Sequence, residues 1–202
     1  MSDVDKMVAF RDAVGVQLLV ADEADATAPK TSVTMGLAPV AATAGAPATP
    51  PQTVHIMQWK ASWQYDVDKG RRTVKDIFPN MYNDMTPEGV MGEANSIVFY
   101  PGVFAGNSMS ARERKSPIEE LVASGFGSLT THEKQLATGK GVNDHGRWRV
   151  TLAMPMDSGD ATKAKVRAGK AVPVAFAAWN GDKKNRGARK QYANWVPMEV
   201  EA

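Results

Sequence analysis

Hydrophobic and polar residues alternate with a period of two through much of this chain, the pattern of strands buried on one face. It predicts strands over Ala13–Val20 and Thr53–Trp63. In the second, Val54 and Ile56 point one way while His55, Met57 and Trp59 point the other. Arg147–Met154 alternates cleanly, with Trp148, Val150, Leu152 and Met154 on one face. The preceding Asn143-Asp144-His145-Gly146 has the chemistry of a tight hairpin turn. Ala171–Trp179 is almost continuously apolar, as a central buried strand requires. Pro173 lacks an N–H and marks that end as an edge or bulge. Ser96–Phe104 is a further apolar run.

One helix is predicted. Ser116-Pro117-Ile118-Glu119 places a hydroxyl at the N-cap, proline in the first turn and a carboxylate three residues on. The helix would run to about Ser124 and stop at Gly125. Leu37–Pro51 is almost wholly Ala, Pro, Thr and Gly, which predicts an exposed, mobile loop. Strands dominate and do not alternate with helices. The expected fold is therefore all-β, mainly an antiparallel β-sandwich, with one or two short helices and long loops, and residues 1–202 form a single domain.

Composition narrows the chemistry. The chain has no cysteine, which excludes disulfides, thiolate zinc sites, cysteine-ligated iron–sulfur clusters, a nucleophilic thiol and covalent c-type haem. Net charge is +2, and the one dense basic stretch, Lys183–Lys190, is too short to make a nucleic-acid surface. No apolar run approaches the ~18–20 residues of a membrane span. Met1–Phe10 carries Asp3, Asp5 and Lys6 and has no apolar signal core. Either export does not use a signal of its own, or the first residue lies downstream of one.

Candidate catalytic groups are sparse. His55, His132 and His145 have no metal-ligand spacing between them and read as surface and turn residues. There is no Gly-x-Ser-x-Gly elbow and no phosphate-binding loop. Asp66, Asp68 and Asp84 are spread through polar turns. Two features are less ordinary: Thr34-Met35-Gly36, a methionine beside a glycine that lets another group approach, and the run from Trp179 through Lys190 to Trp195. On composition alone Met35 is a core gap-filler and the basic run a solvated hairpin tip.

Several segments, taken in order, resemble the haem b subunit of type II dimethyl sulfoxide reductase family enzymes, the group of ethylbenzene dehydrogenase, dimethylsulfide dehydrogenase, selenate reductase and chlorate reductase. They are Phe10–Gln17, Met35-Gly36, Gln58–Gln64, Phe78–Tyr82, Ala105–Asn107, Ser116–Thr130, Gly146–Val150 and the stretch from Ala171 to Trp195. The resemblance implies a haem iron held by a methionine and a lysine. The methionine lies in a Met-Gly step before the Trp-Lys-Ala strand, here Met35; the lysine lies five residues before a tryptophan, here Lys190 before Trp195. Met91, Lys183 and Lys184 lack those placements.

The resemblance implies non-covalent haem b and electron transfer without catalysis. It also implies an iron–sulfur subunit and a molybdopterin catalytic subunit as partners in a heterotrimer, an external cytochrome, and a periplasmic location. A thioether ligand raises the iron potential, and a lysine ligates only as its neutral amine. Family members carry further strand-forming sequence before the first segment, where this chain has nine residues, so a truncated or reduced N-terminal part is expected. The alternative is a haem-free sandwich that binds carbohydrate or another ligand through exposed aromatics such as Trp59 and Trp63.

Overall fold

A computed structural model describes residues 10–20, 52–70, 80, 101–111 and 113–202. Its strands are β1 (Ala13–Val20), β2 (Thr53–Lys60), β3 (Ile118–Ala123), β4 (Thr130–Thr131), β5 (Thr138–Asp144), β6 (Arg147–Ala153), β7 (Ala171–Trp179), β8 (Gln191–Tyr192) and β9 (Val196–Glu199). Two short helices, α1 (Ala61–Lys69) and α2 (Pro101–Phe104), and a 3₁₀ turn at Ser108–Ser110 complete the described elements. Seven strands form one sheet in the order β4-β3-β2-β1-β7-β8, with β9 also on β7, and β5 and β6 form a separate hairpin. The pairings are all antiparallel. The fold is all-β and sandwich-like, as the alternation predicts.

The hairpin closes as its turn residues require. Asp144 pairs with Arg147, and His145 and Gly146 between them have φ of 51° and 80°, the left-handed conformation of a two-residue turn. Trp148, Val150, Leu152 and Met154 pack against Leu18, Met57, Trp59, Ile118 and Val174, the main core. A smaller cluster of Leu19, Val54 and Ala123, with Ile56 and Trp195, lies on the opposite face of the large sheet. Pairing of β7 with β1 stops at Val174, so Pro173 lies beyond that ladder and faces Pro197 of β9.

Four expectations are corrected. Residues 116–124 are not a helix. Ser116 Oγ does accept the Ile118 N–H at 3.2 Å, but the residues that follow form β3. A strand sends Glu119 and Glu120 to opposite faces, and each finds its own buried cation there. That cross-sheet pairing outweighs a local capping signal. The second strand ends at Lys60, and Trp63 lies on α1. Trp59 and Trp63 are 0% and 4% exposed, so neither offers a platform for a sugar. The Trp63 ring lies against two cations, the Lys60 ammonium (4.4 Å) and the Arg114 guanidinium (3.7 Å).

His55 is also not a surface residue. It is fully buried, and Nε2 donates to Glu120 Oε1 at 3.0 Å. Lys163 Nζ donates to the same oxygen at 2.8 Å, while the N–H groups of Ala137 (2.7 Å) and Leu136 donate to Oε2. Burial alone would raise the Glu120 carboxyl, but these four donors outweigh it and hold the carboxyl at about 2, against an ordinary 4.5. A folded-state value below the unfolded one means stabilisation that is present above about pH 4.5 and lost as pH falls toward 2. The shift corresponds to about 3 kcal/mol. Denaturant midpoints measured from pH 5.5 down to 3 should therefore fall steeply, and the fall should be visibly shallower in Glu120→Gln. Equal slopes in the two proteins would remove Glu120 from the account of acid sensitivity.

Candidate functional site

The large sheet has one face covered by the hairpin and a trough on the other. Residues paired in register share a face, so Ala13, Gly15 and Gln17 of β1 lie beside Lys60, Gln58 and Ile56 of β2 and beside Trp179, Ala177 and Ala175 of β7. The middle of this face carries hydrogen or methyl side chains on two neighbouring strands. The result is a cavity of about 830 Å³ floored by β1, β2 and β7. Its size falls within the range of roughly 300–1,000 Å³ typical of cofactor and small-molecule sites.

Gly15 favours this shape: a Cβ there would lie 3.3 Å from Cζ3 of Trp179, so the indole would have to shift by a few tenths of an ångström to accommodate it. The Trp179 ring is fixed at its other end, where Nε1 donates to the Gly187 carbonyl at 3.0 Å. The connection from β7 to β8 forms one wall of the trough. It is braced by Asn185, which is buried and accepts the Asn180 N–H through Oδ1 at 3.0 Å. Phe10 N–H donates to the Gly181 carbonyl at 3.2 Å and joins this connection to the start of β1.

Lys190 stands in the same wall, half-buried, with Nζ 5.6 Å from the centroid of the Trp179 ring. Lys183 and Lys184 are exposed and do not line the trough. Met35 and Met91 lie outside the described residues, as does Leu37–Pro51. The structure therefore sets one of the two sequence-derived ligand candidates at the cavity.

Sequence reading missed a second buried ion pair at the edge of this face. Lys60 lines the trough and is bound to Glu119, whose Oε1 also accepts from Thr131 Oγ1 at 2.7 Å. Burial pushes the Lys60 amine below its ordinary value, and Glu119 partly offsets that. Lys60 and Thr131 lie 59 and 12 residues from Glu119 in sequence, so no local pattern announces the cluster. The small-residue floor does have a signal on β1, where Ala13 and Gly15 alternate with Val14 and Val16 of the core side.

A largely apolar cavity of about 830 Å³ with a lysine in its wall suits a flat hydrophobic cofactor with a metal at its centre. No family model matches the chain. A protein of Haloferax mediterranei named "Putative respiratory nitrate reductase heme subunit ORF7" is 35% identical over 77 residues, which are 38% of this chain and 28% of that protein. The match thus spans well under a third of the relative's length. No described helix is long and apolar enough to cross a membrane.

Proposed function

We propose that this chain is a haem b electron-transfer subunit of a multisubunit molybdopterin oxidoreductase. It would relay electrons between an iron–sulfur subunit and an external cytochrome, within a heterotrimer in the periplasm, and make no bond to the substrate. One observation carries the reading. Lys190, which the sequence resemblance selects as an iron ligand, stands in the wall of a trough of about 830 Å³ with a floor of small residues. The name of the Haloferax relative, a heme subunit of a respiratory nitrate reductase, points the same way.

A bound haem supplies one-electron exchange at its iron. The chain's own residues supply the setting. Lys190 would offer a nitrogen to the iron, and Met35 a thioether sulfur. Ala13, Gly15, Ala175 and Ala177 leave room for a flat ring, and Ile56 and Leu121 line it with apolar surface that excludes water. With no cysteine in the sequence, attachment is by ligation and packing alone.

The test is the visible spectrum of the full chain loaded with haem. Acidified organic solvent should extract all the pigment, and the native spectrum should be six-coordinate and low-spin. Lys190→Ala and Met35→Ala should each give a high-spin or haem-depleted protein, whereas Lys184→Ala and Met91→Ala should leave the spectrum intact. Pigment that stays on the polypeptide, or a low-spin spectrum that survives Lys190→Ala, would overturn the assignment.

A further inference from the structure

The trough is asymmetric along its length. At one end, where Ala13 pairs with both Lys60 and Trp179, the lining includes Arg11, Lys60, Arg186 and Lys190. Toward the other, where Gln17 pairs with Ile56 and Ile56 with Leu121, the lining is mostly apolar. No carboxylate is among the described lining residues. Lys60 is neutralised by Glu119, and Lys190 is the ligand of the proposed function.

Arg11 and Arg186 remain. Both are exposed, and both belong to the corner where Phe10 meets the β7–β8 connection. The Arg186 guanidinium lies 4.7 Å from the Phe10 ring centroid, and Arg11 Nη1 donates to Ser62 Oγ at 3.3 Å. Asp12, the acid adjacent to Arg11 in sequence, is turned to other work. Asp12 Oδ1 accepts the Gly181 N–H at 2.8 Å, and Oδ2 accepts from Trp148 Nε1 of the covering hairpin at 3.0 Å.

We infer that Arg11 and Arg186 form a carboxylate subsite, so that the trough takes a flat apolar ring with its acidic edge at the Phe10 end. This rests on the proposed function and gives the haem an orientation: both propionates toward Arg11 and Arg186, the apolar edge toward Leu121. Guanidinium groups suit the role, because their planar fork matches a carboxylate with two parallel donors. At an exposed rim each contact is weaker than it would be inside the protein.

The experiment titrates the haem-extracted full chain with haemin and with haemin dimethyl ester, whose propionates carry no charge, and follows the Soret band. The ester should bind about tenfold more weakly, the scale of one to two exposed charge-assisted contacts. In Arg11→Gln/Arg186→Gln the preference should shrink to about twofold, while the low-spin spectrum stays, since Lys190 is untouched. Tight haemin binding with no preference over the ester would overturn the subsite and leave the proposed function standing. A full preference retained in the double variant would overturn it as well. Failure of haemin to bind at all would sink the proposed function, and this inference with it.

Discussion

Glu120→Ala should destabilise the protein by about 3–5 kcal/mol, the usual cost of removing one partner from a buried, hydrogen-bonded charge cluster. Glu120 is 1% exposed and accepts from His55, Lys163 and two backbone amides. Its loss leaves the Lys163 ammonium, itself 2% exposed, with the Lys134 carbonyl (2.6 Å) as its remaining hydrogen-bond partner among the described residues. The cost is therefore mostly that of a buried charge without a counter-charge. Glu120→Ala/Lys163→Met removes that charge too and should recover part of the loss, although the Leu136 and Ala137 amides stay unsatisfied. Denaturant unfolding of the two variants decides the matter. If the double variant is less stable than the single one by the full cost of Lys163→Met alone, the two residues do not act as a pair.

The second large effect is expected at Trp59. This side chain is wholly buried, its ring centroid is 4.7 Å from that of Trp148, and its Nε1 donates to Gln64 Oε1 at 3.2 Å. Trp59→Ala should cost about 3–5 kcal/mol through the cavity it leaves. Gly141 is the counterpart from the hairpin. Its N–H donates to the same Gln64 oxygen at 2.7 Å, and a Cβ there would run into the Trp59 indole. Gly141→Ala should cost about 1–3 kcal/mol by overpacking. In a Trp59→Leu background that penalty should largely vanish, because the indole that opposes the methyl is gone. Thermal or denaturant melts of the four proteins give the coupling, and additive losses would mean that the contact between sheet and hairpin is not as described.

What the sequence made legible follows from the range of the forces involved. Apolar patterning and turn chemistry are local, and they located β1 and β7 to the residue, β6 to within one and the hairpin turn at His145-Gly146. The β3 segment was misread because its decisive contacts are not local. Glu119 meets Lys60, and Glu120 meets Lys163, across 59 and 43 residues of chain. Buried His55 was misread for the same reason, since its partner lies 65 residues away. Of the candidate site, Lys190 was reached through resemblance, not spacing, and Met35 lies outside the described residues. The trough itself depends on three strands coming side by side, which no window of sequence contains.

The position of that trough has a consequence for how the protein is made. Trp59, Met57, Ile118 and Val174 close against the hairpin on the opposite side of the sheet, so the main core of the described residues lies apart from the trough. Many small cofactor proteins must collapse around their passenger. Under the proposed function the chain would fold first and load its haem afterwards, and a cell short of haem would accumulate an empty, intact reserve of the protein instead of losing it to proteolysis.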